Sequence, residues 1–516
     1  MIRSRAELER RLAAGESLRG ERLDGLALDG LAAEGADLEA TTWTGCSARG
    51  ARFGRAGLRD ATFTDCDLTD AIFTRALLTG VTLVRSVAIC ARFEGATLSG
   101  ARLAQARLDG AILDEAALDG ATLAGASLCR ASIQGADARG ADLDGAKLTE
   151  AVLAATDLTG AHLRAASLEG ATLLGADLTG ADLTSANLQG ADLEQALLTG
   201  ADLGGASLGG ARFPGAALAG VRLRGVDLSG LDLAGADFEG ADLEGATLGT
   251  VNLTLANLTA ARLTGADLRG AALDGAVFDH ANLTSANLQG VDLRRARFVV
   301  SALAGADLRG ARLHKAVLLG VDLRGARLAG ASITQSLLEN AAAPGVDFSG
   351  CDLENSTFSG ADLAGAIFVE AKLDQVSFAG ANLRGARLQR ADGLRANLAD
   401  AKLDEADLRE ASFEDAALDR AKLRKARADR TRFDKARFVG ADLQGASLRE
   451  ASLRHADLSH ARLDHADLRG ADLEGANLHR ATREGADLGG ARTRDVKPTD
   501  PERARAEDFR PQAPEG

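Results

Sequence analysis

Residues 176–193 read ADLTGADLTSANLQGADL, an apolar residue every fifth position with a small residue two places before it. A period of five matches neither the 3.6 of a helix nor the 2 of a strand, so neither element can run through it unbroken. The rhythm extends far beyond this stretch. Leu18, Leu23 and Leu28 share a register with Leu178, Leu313 and Leu488, giving 95 consecutive pentapeptides without insertion or deletion. The central position is mostly Leu or Phe, replaced at points such as Trp43, Ala138, Ile333, Gly393 and Arg483; two residues earlier the chain carries Ala, or less often Val, Ser or Cys.

The spacing predicts a coil in which each pentapeptide forms one side of a square and 20 residues complete a turn. The central residue and the small residue before it face the axis, where four walls converge and leave little room. The other three positions face water. Gly recurs two places after the centre, where the chain turns a corner and a left-handed backbone suits a residue without Cβ. Stacked coils should bring residues 20 apart into register, and the aromatics obey this: Phe53, Phe73 and Phe93; Trp43 and Phe63; Phe278 and Phe298; Phe348 and Phe368; Phe358 and Phe378; Phe413 and Phe433. Fifteen of the 16 Phe sit at the centre, with Phe509 outside the repeat. They read as core ladders at strand spacing, not as a cofactor stripe. At about 4.8 Å per coil, roughly 24 coils predict a rod on the order of 115 Å.

The expected organisation is an N-terminal capping helix within residues 1–17, a coil over 18–495 and a tail over 496–516 that is a short helix or disordered. Ser4 and Glu7 form an S-x-x-E capping box, Leu8 and Leu12 share a face, and Gly15 can end that helix. Asp500 before Pro501 is a plausible second helix start, and Phe509 a candidate cover for the last coil. Exposed coil ends invite association, so a homodimer through a terminal cap is compatible with the pattern.

The pattern resembles the pentapeptide-repeat family, with its A(D/N)LXX consensus, over about nine-tenths of the chain. The resemblance implies an all-β solenoid, a right-handed quadrilateral parallel β-helix; the residues themselves hold nothing that looks like an enzyme, and a non-enzymatic protein is expected. A weaker, local resemblance links the N-terminal helix leading into GESLRGERLDG, the segment ANLHRATREGADL (476–488) and DPERARAEDFRP (500–511) to repeat proteins found beside bacterial type VI secretion clusters. It implies an accessory, partner-binding role.

Composition agrees with a core of small and medium side chains: 60 Gly, 3% aromatic residues, one Trp and no Tyr. The net charge of −14 is uneven. Residues 141–250 hold 16 acidic and 5 basic side chains, whereas 401–470 hold 14 and 15. That sign argues against direct binding of nucleic acid or an acidic membrane. Five unpatterned cysteines fit a reducing compartment, and MIRSRAELERRLAAGESL holds no apolar run of signal-peptide length; the expectation is a cytoplasmic protein.

No arrangement of catalytic residues, phosphate-binding loop or zinc motif stands out from the repeat, so neither cofactor nor metal is expected. Asp142, Asp182, Asp202 and Asp242 should stack on one outer face, as should Asp157, Asp177 and Asp237, without the glycine-rich spacing of calcium loops. His455, His460 and His465, five apart, should diverge onto successive sides. Cys46 and Cys66 should stack inside, close enough for a disulfide but most simply packed as small residues; Cys351 should also face in, Cys90 and Cys129 out. Two outer surfaces are candidates for a protein partner of unknown identity: the acidic ladder, and the basic segment KLRKARADRTRFDKAR (422–437) with Lys422, Arg424 and Lys425. The leading reading is an interaction scaffold or adaptor. The alternative is an acidic DNA mimic that binds a type II topoisomerase such as gyrase, as some members of the family do.

Overall fold

A computed structural model describes residues 1–83 and 85–508. The chain forms two compact units, Met1–Ala266 and Asp267–Gly516. In the first, strands β1 (Arg22–Asp24), β2 (Thr42–Thr44) and β3 (Thr62–Thr64) pair in parallel, setting Leu23 beside Trp43 and Trp43 beside Phe63. Beyond β3 the strands shrink to single parallel bridges in the same 20-residue register, as in Asp142–His162–Asp182–Asp202. The second unit repeats this, for instance along Asn287–Asp307–Arg327–Asp347.

One pentapeptide shows how the backbone satisfies itself. Leu178 N–H donates to Leu197 O at 2.7 Å in the next coil, and Asp182 N–H to Ala161 O at 3.0 Å in the previous one. At the corner, Gly180 N–H reaches Thr199 O at 3.0 Å and Ala181 N–H folds back to Leu178 O at 2.9 Å. Gly180 takes φ 65°, the left-handed conformation the corner requires. Only the N–H one place after the centre has no backbone partner in this scheme.

Inside, the central and small positions are almost uniformly buried. Phe73 stacks on Phe53 and Phe93 with ring centroids 5.0 and 4.9 Å away, and Phe278 lies 4.8 Å from Phe298. Trp43–Phe63, Phe348–Phe368, Phe358–Phe378 and Phe413–Phe433 stack at 5.2, 5.0, 5.5 and 6.2 Å. A hydroxyl at the small position is accommodated because it donates to the carbonyl 23 residues earlier: Ser86 to Phe63, Thr156 to Ile133 and Thr431 to Leu408, at 2.7 to 2.8 Å. Each of these three hydroxyls therefore keeps a partner and avoids an unpaired desolvation cost.

Helix α1 (Arg5–Ala13) precedes the first coil, with Ser4 Oγ accepting Glu7 N–H and Leu8 fully buried. Helix α2 (Pro501–Asp508) starts at Asp500, whose carboxylate accepts the N–H groups of Glu502 and Arg503 at 2.9 and 3.1 Å. Phe509 lies outside the described residues. Among the described residues, no helix is long and apolar enough to cross a membrane.

Candidate interaction surface

The outward Asp and Asn residues do more than solvate the exterior. Asp177 Oδ1 accepts the N–H of Thr179 at 2.9 Å, Asp182 that of Thr184 at 3.1 Å, and Asn187 that of Gln189 at 3.1 Å. These are the N–H groups that the inter-coil ladder leaves over. An acceptor two residues upstream closes an Asx turn, which only Asp or Asn can form well at this length. Where the preceding residue is not Asp or Asn, an aspartate one coil back can substitute: Asp114 caps Gln134 N–H at 3.0 Å and Asp404 caps Arg424 N–H at 3.1 Å. The (D/N) of the repeat is thus a backbone cap.

This changes the meaning of the acidic ladder. Asp142, Asp182, Asp202 and Asp242 do share one face, interleaved with His162 and Arg222. Each caps a backbone N–H, of Asp144, Thr184, Gly204 and Glu244, at 3.0 to 3.1 Å. Asp182 also receives Arg164 Nε at 2.5 Å and Asp202 lies 3.4 Å from Arg222 Nη1. Partial burial opposes ionisation of Asp182, but hydrogen bonds from Thr184 and Arg164 outweigh it and hold the carboxyl below the usual range. Oδ1 of each carboxylate is committed to the fold, and Oδ2 is paired with an arginine at Asp182, Asp202 and, at 3.8 Å from Arg224, Asp242.

The basic segment is less of a patch than its sequence suggests. Arg424 Nε meets Asp442 at 2.6 Å, Arg430 meets Glu450 at 3.0 Å, Arg437 meets Asp419 at 2.8 Å, and Arg432 pairs with Glu414. The coils on either side supply the carboxylates. Lys422 and Lys425 are exposed and form no ion pair among the described residues. Along one neighbouring corner, Glu370–Arg390–Glu410 alternates in sign with gaps of 3.3 and 3.0 Å. Such exposed pairs contribute little stability each, but they cancel the local field.

His460 finds a neighbour that five-residue spacing did not reveal. His479, 19 positions on, places its ring centroid 5.5 Å away, and Glu507 of α2 lies 3.4 Å from His460 Nε2 and 3.2 Å from His479 Nε2. The three donor atoms lie within 4.8 Å of one another, as metal ligands would. The hydrogen bonding argues for a clasp instead. Asp500 N–H can only donate, so His479 Nδ1, 3.0 Å away, is the acceptor and the proton sits on Nε2, facing Glu507. A metal-bound imidazole needs the opposite arrangement, and Arg480 Nε already occupies Glu507 at 3.3 Å. Cys46 and Cys66 are free thiols that donate to the carbonyls of Leu23 and Trp43 at 3.3 and 3.4 Å.

The family profile described as "Pentapeptide repeats (8 copies)" matches successive segments from residues 58–87 to 456–492, and a "Pentapeptide repeats (9 copies)" profile matches 34–72. No curated protein matches the sequence. Among solved structures, the chain is similar to HetL, a pentapeptide repeat protein of heterocyst differentiation regulation from the cyanobacterium Nostoc, at 28% identity over 54% of this chain and 98% of HetL, TM-score 0.18. It is also similar to QnrB1, a plasmid-mediated fluoroquinolone resistance protein, at 22% identity over 37% and 94%, TM-score 0.25. A pentapeptide repeat protein of the Arabidopsis thaliana thylakoid lumen matches at 32% over 23% and 70%, TM-score 0.17. At these TM-scores the likeness bears on neither detailed geometry nor function.

Proposed function

The chain belongs to the pentapeptide-repeat family, and from that premise we propose that it is a non-enzymatic scaffold or adaptor that binds a protein partner along the outer faces of its coils. The right-handed quadrilateral β-helix that membership implies buries its apolar side chains and leaves its variable positions outside. The observation that carries the reading is the acidic face of the first unit, where Asp142, Asp182, Asp202 and Asp242 each hold the backbone through Oδ1, while Oδ2 meets Arg164 at Asp182, Arg222 at Asp202 and Arg224 at Asp242; a partner's basic groups would compete with these exposed pairs. A basic protein surface complements such a face, with electrostatics setting orientation and encounter rate.

The similarity of the chain's two ends to type VI secretion-associated repeat proteins supports a cytoplasmic, accessory role in that setting. The same acidic face favours a second reading, mimicry of DNA towards gyrase; the charge balance of residues 401–470 fits it less well. Self-association is a further proposal: Ala481, Leu488 and Val496 are half-buried at positions whose equivalents elsewhere are buried. The test is capture from native lysate at moderate and high salt, with purified gyrase as a separate bait. Salt-sensitive capture of secretion or effector proteins without gyrase supports the adaptor; salt-sensitive capture of gyrase supports the mimic; no capture at either salt contradicts both.

A further inference from the structure

The inter-coil ladder of the first unit opens on two adjacent sides. By the register of the coils immediately before and after, Leu208, Gly210, Phe213 and Gly215 should donate to Asp227, Ser229, Asp232 and Ala234, and Asp227 and Asp232 should donate back to Ala206 and Ala211. None of these bonds forms, and the bridges Ser207–Asp227 and Arg212–Asp232 are missing among the described residues. The remaining sides of the same turn are held in part: Leu203 N–H lies 2.8 Å from Arg222 O, Gly220 N–H 2.7 Å from Glu239 O, and Ala217 bridges Asp237, whereas the Gly205–Arg224, Leu218–Asp237 and Asp237–Ala216 bonds of the register do not form. The coils above and below are closed: Leu193 N–H meets Arg212 O at 2.7 Å and Leu233 N–H meets Asn252 O at 2.8 Å.

The cause is legible in the core. Three successive small positions carry Val221, Val226 and Leu231, where the coil above has Ala201, Ala206 and Ala211. Phe213 and Phe238 add volume at the centre of the same region. Extra methylenes in a close-packed interior are relieved by backbone displacement, and here the displacement parts two coils. Ala206, Ala211, Phe213 and Ala216 become 5 to 7% exposed, whereas Ala186 and Ala191 one coil earlier remain at 0%.

The result is a cleft of about 830 Å3 between residues 210–217 and 230–237. That volume lies within the range of about 300–1,000 Å3 typical of ligand sites. Its lips are mostly small residues, including Gly210, Pro214, Gly215, Gly230, Ala234 and Gly235. Both lips carry main-chain donors or acceptors that have lost their inter-coil partners. Open backbone groups of this kind are satisfied by strand addition, in which hydrogen bonds to an added backbone supply the affinity.

We propose that this seam is a binding site for one extended polypeptide segment of a partner protein, which pairs its backbone with the open groups of the two lips. The proposal rests on the protein-interaction reading and adds a second surface to it. Its test starts from the full chain and a repacked variant, Val221→Ala/Val226→Ala/Leu231→Ala, in which the small position is restored and the seam closes. Peptides selected from a random dodecapeptide display library against the wild type should lose affinity for the repacked variant by more than about tenfold, and N-methylation of alternate peptide nitrogens should abolish binding. In the wild type, bound peptide should slow amide exchange at Leu208, Gly210, Phe213 and Gly215. No enrichment over the repacked variant, indifference to N-methylation, or protection only elsewhere overturns the proposal. A chain that captures a partner through its acidic face while failing these tests loses the seam alone.

Discussion

The ring of Phe413 fills the space that a side chain at Gly393 would take: a Cβ at Gly393 would lie 2.6 Å from Phe413 Cε1. The two residues occupy central positions 20 apart, so one large and one absent side chain share the room normally divided between two leucines. The backbone of Gly393 is not in the left-handed region, so the glycine is there for space alone. Gly393→Leu should destabilise by about 1–3 kcal/mol through overpacking. Adding Phe413→Leu should recover most of that loss, and a denaturant double-mutant cycle measures the coupling. Simple additivity would show that the ring does not depend on the missing side chain.

Acid should weaken the coils through their capping carboxylates. In Asp267, Asp307 and Asp322 the guanidinium two residues on, from Arg269, Arg309 and Arg324, and the N–H of the same arginine hold the carboxyl below its ordinary value of 3.8 against the opposing effect of partial burial. A carboxyl depressed in the folded state stabilises it above the unfolded value and loses that contribution as pH falls towards the folded one. Melting temperature should therefore hold between neutrality and about pH 5 and fall below about pH 4. The Asp267→Asn/Asp307→Asn/Asp322→Asn variant keeps three acceptors without the charge, and should show a shallower fall. An unchanged slope would deny these carboxylates a part in acid sensitivity.

The five thiols should react in two groups. Cys90 is exposed and Cys129 half-buried, whereas Cys46, Cys66 and Cys351 are buried. Burial pushes the Cys351 thiol up to about 11, which leaves little thiolate near neutrality. Brief alkylation at pH 8 followed by peptide mass spectrometry should find Cys90 modified first and the three inward thiols modified only in denaturant. Rapid labelling of Cys351 in the native chain would contradict its inward placement.

Period and register can be read from the sequence because a solenoid converts sequence distance directly into spatial position. Phe53, Phe73 and Phe93 stack for no reason beyond being 20 apart in closed coils. Features that depart from one-coil translation were harder to see. His460 and His479 meet along a diagonal of 19 residues, and Glu507 reaches them only because α2 folds back. The capping role of Asp177 was hidden because the period says which way a side chain starts, and hydrogen bonding decides where it ends. The run Val221, Val226, Leu231 was visible as sequence, but its effect required the summed volume of the surrounding core.

The cap geometry supplies the sharpest test of the proposed function, since Asn preserves the acceptor that holds the backbone while removing the negative charge of the face. The measurement is salt-dependent capture by the wild type and by Asp142→Asn/Asp182→Asn/Asp202→Asn/Asp242→Asn, with melting temperatures taken in parallel. The account predicts near-equal melting and a loss of salt-sensitive partner capture in the variant. Capture that survives intact in a folded variant would contradict the acidic face as the interaction surface.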